Sequence, residues 1–200
     1  MKRSTIVYAA ALVGATVSLA AQSLADVRKL FDAGQYQQAA GAGGADQDPR
    51  IAYLVGQSYQ RLSRLDDARN AYEQLTARPD ADAWHHIGRS AVALLASDAA
   101  GAADAAGQAV ARGGSVPEAY YQQGLALSLR QDMAGASAAF QKAADLDPGW
   151  AYAHYYAGLT YAKVKRADLT AAHFQTFLRL APDAPEKPEV QSILKTLGAR

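Results

Sequence analysis

The sequence predicts an all-α protein: a right-handed α-solenoid of helix-turn-helix repeats, about four clear and one degenerate, ended by a C-terminal capping helix. Three observations carry this. Of the 200 residues 47 are alanine and only 8% are aromatic, a composition for close-packed helices rather than a β-sandwich. Apolar residues recur at three- and four-residue spacing through most of the chain. Four glycines, Gly56, Gly88, Gly124 and Gly158, recur in matching surroundings at separations of 32, 36 and 34 residues. The length fits one domain or one short repeat array. With 20 Lys and Arg against 19 Asp and Glu, interspersed and summing to +1, the charge argues against a nucleic-acid footprint.

The first segment reads as an address. Met1-Lys2-Arg3 is followed by seventeen uncharged residues, Thr5 to Ala21, and Ser18 and Ala20 have the spacing a signal peptidase prefers. Many of these residues are alanine, so the run is marginal as a membrane span, which needs ~20 apolar residues. We expect residues 1–21 to be a cleaved signal peptide; the alternative is an inner-membrane anchor facing the periplasm. The mature chain, with a charge of −1, is then periplasmic or secreted and does not insert into the membrane. It has no cysteine, so neither a disulfide framework nor a lipid attachment supports it. The alanine-rich, asparagine-poor composition points to a bacterial source.

Each of the four glycines anchors a unit. Four residues earlier lie Ala52, Trp84, Tyr120 and His154. Twelve residues later come Ala68, Ala100, Ala136 and Thr170, and sixteen later Tyr72, Asp104, Phe140 and Phe174. Pro79, Pro148 and Pro182 close three units. This pattern resembles the tetratricopeptide repeat (TPR), Trp-x2-Leu-Gly-x2-Tyr then Ala-x3-Phe then Pro, over roughly residues 23–184. The expected solenoid spans 22–184, in units of about 22–48, 49–80, 81–116, 117–150 and 151–184. In the first unit only Gly34-Gln35-Tyr36-Gln37-Gln38-Ala39 resembles the turn and second helix. The glycine and the later alanine let two helices approach closely, the ring fills the space between units, and proline ends the second helix.

Residues 185–200 form the expected cap, with Val190, Ile193, Leu194 and Leu197 on one face. Two segments depart from the pattern. The third unit's second helix has Asp104 where a ring belongs and carries Gly101 and Gly107, and the first unit runs into Gly41-Ala42-Gly43-Gly44. These segments are expected to be the loosest joints.

Nothing in the chain requires chemistry. Gly41–Gly44 lacks the strand and spacing of a phosphate loop. Ser192-Ile193-Leu194-Lys195 lacks the partner motifs of the enzymes that use Ser-x-x-Lys. His85 and His86 are adjacent and point about 100° apart on a helix, unlike the i, i+4 pair of a zinc site. The expectation is a non-enzymatic protein with no cofactor, no metal and no small-molecule substrate.

The resemblance implies that the first helix of each unit lines a concave groove. Register then names Tyr53, Gln57 and Arg61; His85, His86 and Arg89; Tyr121 and Gln122; and Tyr152, Tyr155, Tyr156 and Lys163 as candidate groove residues. Tyr152 and Tyr156 are the least expected from packing alone. The clamp by which chaperone-binding members grip a C-terminal carboxylate is absent, since tyrosine or histidine replaces its lysine. The expected partner is another protein or peptide segment, not nucleic acid. The expected role is an adaptor or scaffold in the bacterial cell envelope. The alternative is a structural subunit of an envelope assembly, working through its convex face and terminal helix.

Overall fold

The computed structural model describes residues 23–42 and 48–198, which form eleven α-helices and no strand. They pair along the chain: α1 (Leu24–Asp32) with α2 (Tyr36–Ala40), α3 (Pro49–Arg61) with α4 (Leu65–Thr76), and α5 (Ala83–Leu95) with α6 (Ala99–Arg112). Next come α7 (Pro117–Leu129) with α8 (Met133–Leu146) and α9 (Ala151–Lys163) with α10 (Ala167–Leu180). A single helix, α11 (Lys187–Gly198), packs on α10 and buries Val190. Each helix packs chiefly on its neighbours in sequence, which makes the fold an α-solenoid. The expected signal segment 1–21, Gly43 and Gly44 lie outside the described residues.

One local device sets the period. Each hairpin turns through a residue in the left-handed region: Gly34, Ser63, Ser97, Gln131 and Lys165, with φ between 57° and 74°. The amide after each donates to a carbonyl five residues back, as in Arg64 N–H to Tyr59 O at 2.9 Å and Asp132 N–H to Leu127 O at 2.9 Å. This is a Schellman cap, which satisfies carbonyls that a helix end would otherwise orphan. The last four turns are 34 residues apart without exception.

This period corrects the glycine register in the third unit, which begins at Ala83 rather than residue 81. The residue seven before each turn is Gly56, Ser90, Gly124 or Gly158, and the residue nine after is Tyr72, Ala106, Phe140 or Phe174. Ser90, not Gly88, therefore holds the close-approach position; its hydroxyl is bonded to Ala102 O and to Gln122 Oε1, each at 3.1 Å. Gly88 faces the preceding unit, where a Cβ would come within 2.7 Å of Tyr72 O. The cause is Pro79. A helix continued to it would clash at the Leu75 carbonyl, so α4 stops at Thr76 and the loop to α5 is correspondingly longer. Asp104 is exposed, and the third unit's true ring position holds Ala106, packed with Ala102 and Ala126 in a small alanine cluster.

Elsewhere a ring sits directly under the small residue. A Cβ on Gly124 would meet the Phe140 ring at 2.7 Å, and one on Gly158 the Phe174 ring at 2.5 Å. Both phenylalanines are fully buried, each worth about 1.5–3 kcal/mol by area. Gly124→Ala should overpack this contact and destabilise by about 1–3 kcal/mol, lowering the thermal midpoint by several degrees. Gly107→Ala, whose Cβ would meet nothing within 4 Å, should instead raise stability by up to about 1 kcal/mol. Thermal unfolding followed by circular dichroism separates the two. Hydrogen exchange should also show faster amides across α6 than across α8, because α6 buries only alanine.

Candidate functional site

The first helices of the units bring most of the predicted groove residues to one inner face, where they pack on one another. The Tyr53 hydroxyl accepts from Gln122 Nε2 at 2.6 Å and from Gln57 Nε2 at 3.3 Å. Gln122 thus ties Tyr53 of α3 to Ser90 of α5. Tyr121 stacks on Trp150 with centroids 4.5 Å apart, and Tyr156 lies between Tyr121, Phe140 and Tyr155. Tyr155 donates to Glu189 Oε2 at 3.1 Å. Tyr53, Gln57, Tyr121, Gln122, Tyr152 and Tyr155 are all buried, and Tyr156 is half-buried. Burial pushes the Tyr53 and Tyr121 hydroxyls well above their usual range, so both remain neutral hydrogen-bonding groups.

The face is this crowded because the first unit crosses to the last. Arg28 Nη1 of α1 meets Asp147 Oδ2 at 2.8 Å, with its guanidinium 6.0 Å from the Trp150 ring centroid. Phe31 packs edge-on against Tyr152 at 5.0 Å, and the Tyr36 hydroxyl lies 3.3 Å from that of Tyr152. Tyr152 donates in turn to Glu186 Oε2 at 2.8 Å. Arg61 reaches Glu186 Oε1 at 2.6 Å and lies over the Tyr152 ring at 4.9 Å. At Gly34 a Cβ would come within 2.6 Å of Pro185, so only glycine allows the α1–α2 turn to meet the C-terminal segment so closely.

Polar groups lie unsatisfied along this seam. Among the described residues, Arg28 Nε, Asp32 Oδ1, Gln57 Oε1 and Glu118 Oε2 are buried without a hydrogen-bond partner. Burial raises both the Asp32 and the Glu118 carboxyl to about 7, against the pull of Arg28. Asp147 adds to the rise at both carboxyls, and Glu186 adds to it at Asp32.

The corrected register moves His85, His86 and Arg89 off the inner face, which α5 lines instead with the buried Trp84, Ile87 and Ala91. His86 occupies the position of Tyr120 and His154. All three side chains bond the carbonyl six residues back: Asp80 O at 2.8 Å, Gly114 O at 3.3 Å and Pro148 O at 3.2 Å. His85 and Arg89 line an outer cleft with Glu73, Thr76, Val92 and Ala96. Arg89 and Lys163 are exposed. Asp80, His85 and His86 bring potential metal-ligand atoms within 4.8 Å of one another. Their groups are already engaged, however. Arg112 holds the Asp80 carboxylate at 3.0 Å, and His86 Nε2 donates to the Asp80 carbonyl. A cation would have to displace both.

The sequence reading missed Arg28, Phe31 and Asp32. The available signal was the apolar spacing Leu24, Val27, Phe31, with Arg28 and Asp32 flanking that stripe.

Comparison with known proteins agrees with this construction. Residues 117–149, the α7–α8 unit, match the tetratricopeptide repeat family model. None of the curated proteins matches the chain. Among solved structures, TTC0263, a thermophilic TPR protein from Thermus thermophilus, superposes with a TM-score of 0.62 at 16% identity, over 88% of this chain and 97% of that one. A crystal structure of MamA aligns with a TM-score of 0.49 at 18% identity, over 85% of this chain and 98% of that one. The 34-residue turns, the small residue beneath a ring and the matched unit together make this chain a tetratricopeptide-repeat protein. Such repeats generally bind other proteins or peptides and generally do no chemistry of their own.

Glu118 supplies a test of the seam. Its folded-state pKa lies above its unfolded value, so its contribution to stability is full below about pH 4 and declines as the pH rises toward 7. Glu118→Gln should flatten that decline. By urea titration at pH 5 and pH 8, the variant should gain on the wild type by about 2.5 kcal/mol at the higher pH.

Proposed function

We propose that this chain is an exported adaptor of the bacterial cell envelope that holds a segment of another protein along the inner face of its solenoid. One observation carries the placement. Of the five buried side-chain polar atoms without a partner among the described residues, four lie at the inner face and its seam, on Arg28, Asp32, Gln57 and Glu118. A purely structural core pairs such groups, and unpaired ones concentrated in one place mark a surface that binds. Tyrosine supplies rigid apolar area and a hydroxyl at low entropic cost, and Arg61 and the seam carboxyls supply the charge. Export rests on the charged start and apolar run of residues 1–21. No helix among the described residues is long and apolar enough to cross a membrane.

A second reading rests on the outer cleft. It is open, and Arg89 beside it forms no ion pair among the described residues. A structural subunit built into an envelope assembly would use that side and α11.

In-cell photo-crosslinking separates the two, with a photoreactive residue at Tyr156 in one strain and at Arg89 in another. Capture of one protein from position 156 alone is the expected result. Capture from position 89 alone would transfer the role to the outer surface. Absence of capture from both, with the chain intact in a periplasmic extract, would remove the adaptor reading.

A further inference from the structure

The geometry points to α1 as a resident ligand of the inner face: it holds, within the chain, the place of a partner helix that presents an arginine and, three residues later, an aromatic ring. This inference rests on the inner face being the binding surface. It adds what that surface recognises and what must leave before a partner enters.

What α1 offers across the seam is a compact recognition set. Arg28 and Phe31 are three residues apart and so lie on the same side of the helix. The guanidinium reaches the Asp147 carboxylate at 2.8 Å and lies beside the Trp150 indole. The Phe31 ring meets the face built by Tyr152 and Tyr36, at 5.0 Å and 5.3 Å between centroids. The receiving surface is therefore an acid beside an aromatic wall, with Glu186 as a second acid a short distance along. It complements a cationic, aromatic helix and repels an acidic one.

Although Val27 of α1 is fully buried, two features make α1 the displaceable helix of the array. The α1–α2 pair has helices of nine and five residues, against twelve to fourteen in every later pair, and helices this short hold only through tertiary contacts. The fit is also imperfect. With α1 in place, Arg28 Nε and Asp32 Oδ1 are buried without partners among the described residues, and Asp32 faces the like charges of Asp147 and Glu186. A helix that presents the arginine and the ring but no acid at the position of Asp32 would avoid that repulsion. It would bind more tightly than α1 does for the same buried contact.

The test uses the full mature chain and a fluorescein-labelled synthetic peptide copying residues 23–41 with the change Asp32→Ala. Fluorescence anisotropy should show weak binding to the wild-type chain, because α1 competes at the high effective concentration of a tethered segment. Binding should tighten at least tenfold to a chain carrying Arg28→Ala and Phe31→Ala, in which α1 no longer competes. A peptide lacking its own Arg28 and Phe31 side chains should not bind either chain. Circular dichroism checks that the double variant keeps its helical content. Arg28→Ala alone, which leaves the ring contacts intact, provides a milder second variant, expected to show an intermediate gain. Equal affinity of the peptide for the wild-type and double-variant chains would overturn the inference, as would no binding to a double variant that is folded. If crosslinking from position 156 captures a partner that the peptide cannot displace, the inner-face reading stands and the resident-ligand inference falls. If the peptide binds as expected but position 156 captures nothing in cells, the adaptor role falls and α1 remains a self-contact.

Discussion

The left-handed residue at each hairpin fixes the phase of everything else in this chain. Ser63, Ser97, Gln131 and Lys165 are not glycine, yet each takes a positive φ, a conformation that costs an ordinary residue about 1 kcal/mol or more. The Schellman hydrogen bonds offset that cost by satisfying carbonyls at the helix end. Once the turn is placed, the small residue seven positions before it and the ring nine positions after it must face each other across the pair. The third unit shows that the turn sets the register and the glycine does not. Gly88 lies on the wrong side, Ser90 takes the contact, and the 34-residue interval is kept although the helix before it is cut short by Pro79.

The inner face departs from what a simple stack would need. Its rings form a continuous edge-and-face network from Tyr121 through Tyr156 and Tyr155 to Tyr152 and Phe177, and such pairs each add about 0.5–1.5 kcal/mol beyond their area. Near it, on α1 and α7, sit the Asp32 and Glu118 carboxyls, whose pKa burial raises to about 7. A core built for stability alone would replace Glu118 or Asp32 with an apolar side chain. Their presence puts ionisable groups where the first unit meets the last, and it links the adaptor reading to a specific part of the surface.

Much of this fold was legible in the sequence because a repeat states its pattern several times. The α7–α8 and α9–α10 units, with Gly124 over Phe140 and Gly158 over Phe174, needed only their spacing. In the third unit the glycine spacing is two residues out of register, because serine is small enough to hold the close-approach position. The contacts that close the inner face were not legible at all. The Arg28–Asp147 pair and the Tyr53–Gln122 hydrogen bond depend on how the solenoid curves, which sums small rotations over units and leaves no mark in any one of them. Tyr152, a candidate groove residue by register, is 1% exposed because Phe31 and Tyr36 cover it.

Contact between the first unit and the last also changes how the molecule responds to stress. An open row of repeats has two free ends, and it loosens from whichever is weaker while the middle persists. Here Arg28 and Phe31 of α1 lean on Asp147 and Tyr152, and Arg61 leans on Glu186 just before the terminal helix. Loss of either end removes support from the other. The row behaves as a loop with a single clasp, and damage at one terminus is felt about a hundred and twenty residues away.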